Sequence, residues 1–135
     1  MHINQIRFND KFKFNLLTWD KIIAIDFDDV IYHKNIINNK HNDLIDLPVF
    51  GSKEALDELK TEGWYIIIHS ARVVNRQTFN NVESYLKKHN LYFDEIWFEK
   101  SKPFAAIYLD DKAITFKGNW GQSLKDIYNF KTWVK

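Results

Sequence analysis

The stretch KIIAIDFDDVIY, Lys21 to Tyr32, runs from four apolar residues into three aspartates. An unbroken apolar run of this length is typical of a strand covered on both faces, and such strands belong to parallel sheets. Asp26, Asp28 and Asp29 stand directly after this strand. Because like charges at the end of a buried strand repel each other, the stretch also raises the question of what neutralises them.

The chain around this stretch predicts a strand–helix alternation. A second apolar run, WYIIIHS at Trp64 to Ser70, follows a segment in which Ser52 is a candidate N-cap and Gly63 a helix stop. The other predicted elements are a helix from Arg76 to Lys88, a strand from Asp94 to Phe98, a strand from Ala105 to Asp111, and a helix from Gln122 to Phe130 with Leu124 and Ile127 turned inwards.

This alternation predicts an α/β fold, a Rossmann-like three-layer sandwich around a central, mostly parallel sheet. The 135 residues contain no internal repeat and no Pro/Gly/Ser-rich linker, so residues 1–135 are predicted to form a single domain. Residues 1–20 are an N-terminal extension of uncertain structure, in which IRFNDKFKFN is compatible with a hairpin around Asn9 and Asp10.

Composition narrows the functional class. The net charge is +1, so no global field attracts nucleic acid or an anionic membrane, although a local patch is not excluded. The absence of cysteine removes disulfides, thiolate catalysis and cysteine-ligated metals. With neither a leader-like segment nor an apolar run long enough to span a bilayer, we expect a soluble cytoplasmic protein. The five Trp residues are interpreted mostly as core.

Chemically useful residues stand at most of the predicted strand ends, where ligands bind in open α/β sheets. They are Asp26, Asp28, Ser70, Asp110 and Asp111, with Lys102 just before the fourth strand. Taken singly, the acidic residues are compatible with turn caps, Ser70 with a helix N-cap and Lys102 with a solvated cation. Their occurrence together and in this order favours a common site.

The ordered set resembles the haloacid dehalogenase (HAD) superfamily over roughly residues 21–116. Its Asp-x-Asp-x-(Thr/Val) motif is similar to DFDDV at Asp26 to Val30, and its Ser or Thr motif to Ser70. Its Lys motif is similar to Lys102, and its acidic motif to LDD at Asp110 and Asp111. No one motif is specific, but four in order at strand ends are.

The resemblance implies a phosphatase and gives its residues roles. Asp26 is the expected nucleophile that forms an aspartyl-phosphate, and Asp28 the expected acid and base. Residues i and i+2 of an extended strand point the same way, so both carboxylates can face one phosphate. Ser70 is expected to hydrogen-bond a phosphoryl oxygen, and Lys102 to offset charge on the phosphoryl group and on Asp26.

Clustered carboxylates beside a phosphate need a cation, and their oxygens suit Mg²⁺. The expected ligands are Asp26, Asp28 through its backbone carbonyl, and Asp110 or Asp111. Many relatives have Gly at the position of Asp29, which is interpreted here as a turn cap, with an extra polar contact near the metal as the alternative.

The connections leave no room for the cap domain that many proteins of the HAD superfamily carry, so an open, capless site is expected. Arg72 is either a second anion contact or a solvated arginine, and His69 is interpreted as a strand-end histidine. The loop YHKNIINNKHNDL, which contains Lys40 and His41, is interpreted as a polar surface loop, with substrate contact as the alternative.

We therefore expect a Mg²⁺-dependent phosphomonoester hydrolase acting on a phosphorylated small molecule, either a nucleotide or a sugar phosphate. One alternative is a phosphatase acting on nucleic-acid ends, which the open site favours and the near-neutral charge disfavours. Another is a regulatory module that binds phosphate without turnover. The sequence does not indicate an oligomeric state.

Overall fold

The computed structural model describes residues 20–34 and 44–134. Within them, one sheet contains four strands: β1 (Ile22–Ile25), β2 (Tyr65–Ile68), β3 (Glu95–Ile96) and β4 (Ile107–Leu109). Every strand pairing is parallel, and the order across the sheet is β3-β2-β1-β4. The predicted Rossmann-like α/β sandwich with a parallel central sheet is confirmed.

Both faces of the central strands are buried, which explains their unbroken apolar sequence. Alternate residues point to opposite faces of the sheet. Ile23, Ile25, Ile66 and Ile68 belong to one apolar cluster. Ile22, Ala24, Tyr65 and Ile67 belong to the other, where Trp97, Phe104 and Ala105 cover them.

Three helices flank or follow the sheet: α1 (Ser52–Thr61), α2 (Arg76–Lys88) and α3 (Trp120–Tyr128). Leu56 of α1 and Val82, Tyr85 and Leu86 of α2 pack into the first apolar cluster, so both helices cover the same face. The bounds of α2 are those predicted, and a capping box between Asn75 and Thr78 begins it.

The prediction for the start of α1 was wrong by one residue. The N-cap is Gly51, and Ser52 is already the first helical residue. Gly51 has φ of 87°, a left-handed conformation that glycine adopts without a Cβ penalty, and it turns the chain into the helix. The predicted stop at Gly63 is confirmed, since Gly63 also has φ of 87° just after the helix ends.

The last helix begins and ends two residues earlier than predicted, and its apolar side chains are not buried. Leu124 and Ile127 are 46% and 50% exposed, so the prediction that they turn inwards was wrong. The helix follows β4, whose three residues are themselves exposed, and Ser123 is the one buried residue of the helix. Helical periodicity indicates an apolar stripe, but it does not supply the surface that would cover it.

The Trp residues were expected mostly in the core, but among those described some are buried and others are exposed. Trp97 is buried and Trp64 packs at the margin of the core, whereas Trp120 and Trp133 are exposed. The possible hairpin around Asn9 and most of the polar loop, including Lys40 and His41, lie outside the described residues. In the part of the chain that is described, no helix is long and apolar enough to cross a membrane.

The packing of α2 against the sheet predicts a large stability effect from a single truncation. Leu86 is fully buried, and Leu86→Ala should lower the free energy of unfolding by about 2 to 5 kcal/mol, because it removes buried apolar surface and leaves a cavity. Leu47→Ala is the matched control, since Leu47 is 76% exposed. Urea unfolding monitored by circular dichroism measures both, and equal losses would contradict this account of the core.

Candidate functional site

Backbone hydrogen bonds continue across the sheet beyond the ends of the strands. The N–H of Trp97 donates to the Ile68 carbonyl, and the N–H of His69 donates to the Ile25 carbonyl. On the other side of β1, the N–H of Asp26 donates to the Leu109 carbonyl. The first residues after β3, β2 and β1 are therefore held in line at one edge, and Asp110 follows β4 at the same edge.

Three carboxylates meet at this edge. Asp26, Asp110 and Asp111 each offer an oxygen, and these oxygens all lie within 4.8 Å of one another. The strand ends after β1 and β4 bring them together, as the sequence analysis expected for a parallel sheet. The Phe27 N–H donates to Oδ1 of Asp26, and the Lys112 N–H donates to Oδ1 of Asp110, which limits the rotation of both side chains.

The electrostatics of this acidic group are unfavourable without a cation. The pKa of Asp26 rises from 3.8 to about 7, first because burial disfavours the charged carboxylate, and then because of a hydrogen bond with Asp111 and the charge of Asp110. The Phe27 N–H opposes the rise by stabilising the charged form. Like charges therefore raise the pKa of Asp26, as the crowding of aspartates in the sequence suggested. The acidic neighbours are Asp110 and Asp111, however, and not Asp28 and Asp29.

The acidic group fits a small, hard divalent cation. Two oxygens on one Mg²⁺, each about 2.1 Å from the ion, lie at most about 4.2 Å apart. The three carboxylates need only small side-chain rotations to satisfy that limit from their present spacing. Oxygen ligands with net negative charge are the donor set that Mg²⁺ prefers, so Asp26, Asp110 and Asp111 are the residues that would hold it.

The carboxylate of Asp28 lies outside the acidic group and pairs with Arg72. Nη2 of Arg72 lies 2.6 Å from Oδ1 of Asp28, and Nε donates to Oδ2 at 3.1 Å. This is a bidentate contact, and the Arg72 side chain is only 9% exposed. The alternative of a solvated arginine was therefore wrong. The expectation that Asp28 contributes its backbone carbonyl to a metal stays a prediction.

The turn that carries Asp28 is tightly hydrogen-bonded. The N–H groups of Val30, Ile31 and Tyr32 all donate to the Phe27 carbonyl. Asp29 has φ of 62°, in the left-handed region, and its Oδ1 accepts from the Lys34 N–H. The interpretation of Asp29 as a turn cap is confirmed by this contact.

Ser70 follows β2 at the same edge, one residue beyond His69, which the register of β1 and β2 places opposite Asp26. It is buried, and its Oγ accepts from the Arg72 N–H at 3.1 Å, so its hydroxyl hydrogen remains to be donated elsewhere. Burial lowers the pKa of the neighbouring His69, and the charge of Lys102 lowers it further against the opposing effect of Asp110. His69 is thus neutral near pH 7, in keeping with a strand-end residue.

Lys102 takes a position that the sequence did not indicate. Its ammonium lies 4.1 Å from the centre of the Tyr108 ring, a cation–π contact on β4. Among the described residues, no hydrogen bond or ion pair joins Lys102 to Asp26. The exposed and flexible lysine side chain still lies close enough to the edge to influence His69, so its predicted role toward a phosphoryl group stays a prediction.

The C-terminal segment contributes contacts that were not predicted from the sequence. The indole N–H of Trp133 donates to the Asp29 carbonyl at 2.8 Å, and the Trp133 ring lies 5.3 Å from that of His33. Oγ1 of Thr132 lies 3.5 Å from Oδ2 of Asp111. These contacts join residues far apart in the chain, and no local sequence signal identifies such pairs.

A cavity of about 860 Å³ adjoins Ser70 on the side away from the acidic group. The loops after β2 and β3 form its walls, which include Val74, Trp97 and Phe98. The cavity was not predicted from the sequence, where Trp97 and Phe98 were assigned to the end of a strand and Val74 to no element.

Comparisons with known proteins establish the fold and not the activity. No protein-family model matches the chain, and no curated protein matches it. A solved structure, that of a conserved protein from Bacteroides thetaiotaomicron, matches with a TM-score of 0.55 and 21% sequence identity. The match covers 83% of this chain and 93% of that one. At this identity the likeness concerns the fold alone.

The raised pKa of Asp26 predicts a pH-dependent stability in metal-free protein. The folded chain binds more protons than the unfolded chain between the two pKa values, so Asp26 makes the fold less stable as pH rises from about 4 to about 7. Relative to Asp26→Asn, which does not titrate at this position, the wild type should lose stability across this window and level off above it. Urea unfolding in the presence of a chelator measures the difference, and a difference independent of pH would contradict the burial argument.

The pairing of Arg72 with Asp28 predicts a coupled stability effect. Arg72→Ala should lower the free energy of unfolding by about 1.5 to 3 kcal/mol, because it leaves a partly buried carboxylate without its charged hydrogen bonds. The double variant Arg72→Ala/Asp28→Asn should lose less than the sum of the single variants. Arg76→Ala is the control, since Arg76 is exposed and its guanidinium lies over the rings of Phe79 and Phe98. Additive losses of unfolding free energy in chemical denaturation would show that Arg72 and Asp28 are not energetically coupled.

Proposed function

We propose that this chain is a capless, Mg²⁺-dependent phosphomonoester hydrolase of the HAD type, acting through an aspartyl-phosphate intermediate. The observation that carries the proposal is the convergence of Asp26, Asp110 and Asp111 at the carboxyl edge of a parallel sheet, where Ser70 follows the strand next to that of Asp26. That edge is where open α/β sheets bind ligands. The near-neutral charge favours a phosphorylated small molecule over nucleic-acid ends, and the absence of cysteine suits a cytoplasmic location.

The residues divide the reaction into two displacements. In the first, a carboxylate oxygen of Asp26 attacks phosphorus, the ester P–O bond breaks, and Asp28 gives its proton to the leaving oxygen. In the second, Asp28 takes a proton from water, which attacks phosphorus and releases inorganic phosphate from Asp26. Asp28 gives up one proton in the first step and gains one from water in the second, so the enzyme returns to its starting state.

The neighbours of these residues suit the two steps. The Phe27 N–H donates to Oδ1 of Asp26, which orients the carboxylate that would attack. The hydroxyl of Ser70 has a hydrogen to donate to a phosphoryl oxygen. Mg²⁺ held by the acidic group would offset the charge of the phosphate and keep Asp26 ionised at neutral pH.

Arg72 has a positioning role in this proposal. Two nitrogens of its guanidinium hold the side chain of Asp28 in place. Asp28 must carry a proton when the ester bond breaks, so part of the Arg72 contact is exchanged as substrate binds. A phosphate dianion that accepts a hydrogen bond from the guanidinium would supply that exchange.

The same contact favours a second candidate, a phosphate-binding module without turnover. If Arg72 never releases Asp28, the carboxylate does not protonate a leaving group, and the site binds Mg²⁺ and phosphate only. The two candidates predict the same binding and differ in catalysis.

Hydrolysis of a generic aryl phosphate separates them. With Mg²⁺ the wild type should release inorganic phosphate, and a chelator should stop the release. Asp26→Asn should abolish turnover, because an amide does not act as the nucleophile, and Asp28→Asn should lower kcat by about 10² to 10⁴. Asp57→Asn is the matched control, an exposed aspartate on α1 that pairs with Lys53. Its activity should equal that of the wild type.

A thermal unfolding series with Mg²⁺ completes the test. Mg²⁺ should raise the Tm of the wild type, and Asp110→Asn and Asp111→Asn should each reduce the rise. Mg²⁺ stabilisation without hydrolysis of any phosphomonoester would favour the binding module. Turnover that persists in Asp26→Asn would exclude the aspartyl-phosphate mechanism.

A further inference from the structure

We propose that the cavity beside Ser70 holds the leaving group of the substrate, and that this group carries a planar heteroaromatic ring, as in a nucleoside monophosphate. The inference rests on the proposed hydrolase function and deepens it by naming the substrate class. The sequence alone does not distinguish a nucleotide from a sugar phosphate as the substrate.

The cavity is placed to receive what is attached to a phosphate at the acidic group. Ser70 and His69 line it, and the Ser70 hydroxyl is also the proposed phosphoryl contact. Adjacent strands lie about 4.8 Å apart, so the loop after β3 is about 10 Å from Asp26 along the edge. A phosphate held at Asp26 would therefore lie about two strand spacings from the far wall of the cavity, and Ser70, at the end of the intervening strand, lines the cavity itself.

The inner wall of the cavity is aromatic and fixed. Trp97 is buried, and its indole N–H donates to the Ser101 carbonyl at 2.6 Å. Phe98 is held by neighbours outside this cavity, since its ring lies 5.3 Å from that of Phe79 and 5.1 Å from the guanidinium of Arg76. Rigid aromatic side chains that need no ordering on binding suit a flat ring.

Apolar surface remains uncovered in this otherwise polar region. Phe98 is 37% exposed and Val74 is 70% exposed, and both line the cavity. A polyol such as a sugar would leave this surface against hydroxyl groups, whereas a nucleobase would remove it from water. The apolar lining therefore favours a nucleobase over a further sugar as the group that the cavity holds.

The rim of the cavity adds polar and charged groups. Glu99, Lys100 and Ser101 line it beside the aromatic wall. A heteroaromatic ring presents both donors and acceptors at its edge, which a carboxylate and an ammonium match, whereas a plain hydrocarbon ring presents neither. The volume of the cavity, about 860 Å³, also lies within the range of small-molecule sites.

The test compares adenosine 5′-monophosphate with ribose 5-phosphate, which has the same phosphorylated sugar and no base. The wild type with Mg²⁺ should hydrolyse the nucleotide with a kcat/KM about fivefold to a hundredfold higher, mostly through KM, as one stacked base contributes. Phe98→Ala should bring the ratio toward one. Phe116→Ala is the matched control, because Phe116 is exposed, contacts Trp120 and does not line the cavity. It should keep the wild-type ratio.

The outcomes separate this inference from the hydrolase proposal. Equal kcat/KM for both compounds in the wild type, or an unchanged ratio in Phe98→Ala, would overturn the inference while hydrolysis itself stands. If neither compound nor an aryl phosphate is hydrolysed, the hydrolase proposal fails. Calorimetric binding of the two compounds then tests whether the cavity holds a base. Tighter binding of the nucleotide than of ribose 5-phosphate, weakened in Phe98→Ala, would support the cavity assignment, and equal or absent binding would overturn it.

Discussion

The position of β1 between two parallel partners is the constraint on which the candidate site depends. β1 pairs with β2 on one side and with β4 on the other, and both of its faces are buried. Its register is fixed, because a slip of one residue would exchange the side chains of the two apolar clusters. Asp26 is the first residue after β1, and its N–H still donates to the Leu109 carbonyl. The register of the core therefore also sets the position of the Asp26 carboxylate.

An aromatic cluster extends this order into the turn after β1. The rings of Phe27 and Tyr32 stack at 5.6 Å, and both meet Tyr85 edge-on. Tyr85 is on α2, and its hydroxyl donates to the Asp46 carbonyl. The turn that carries Asp28 is thus anchored at both ends by the hydrophobic core, and the polar residues between these ends have little freedom to move.

The parts of the molecule that were predicted from the sequence are those decided by local pattern and parallel topology. Apolar runs identified β1 and β2, one amphipathic face gave the bounds of α2, and strand ends located Asp26, Asp110 and Asp111 at one edge. The predicted strands Asp94 to Phe98 and Ala105 to Asp111 proved longer than β3 and β4, which have two and three residues.

The sequence did not reveal features that depend on distant partners. Arg72 stood two residues after Ser70 in the sequence, but its bidentate contact with Asp28 spans 44 positions. The contact of Trp133 with Asp29 spans 104 positions. The exposure of Leu124 depends on what covers α3, and helical periodicity contains no information about that. Such pairs follow from how the sheet edge and the C-terminal segment meet in space.

The left-handed conformation of Asp29 has a consequence for conformational entropy. A non-glycine residue in this region bears a strain of about 1 to 2 kcal/mol, which the hydrogen bond to Lys34 helps to offset. In the unfolded chain an aspartate samples fewer backbone conformations than a glycine would. Less disorder is therefore lost when the turn that carries Asp28 forms than would be lost with glycine at this position.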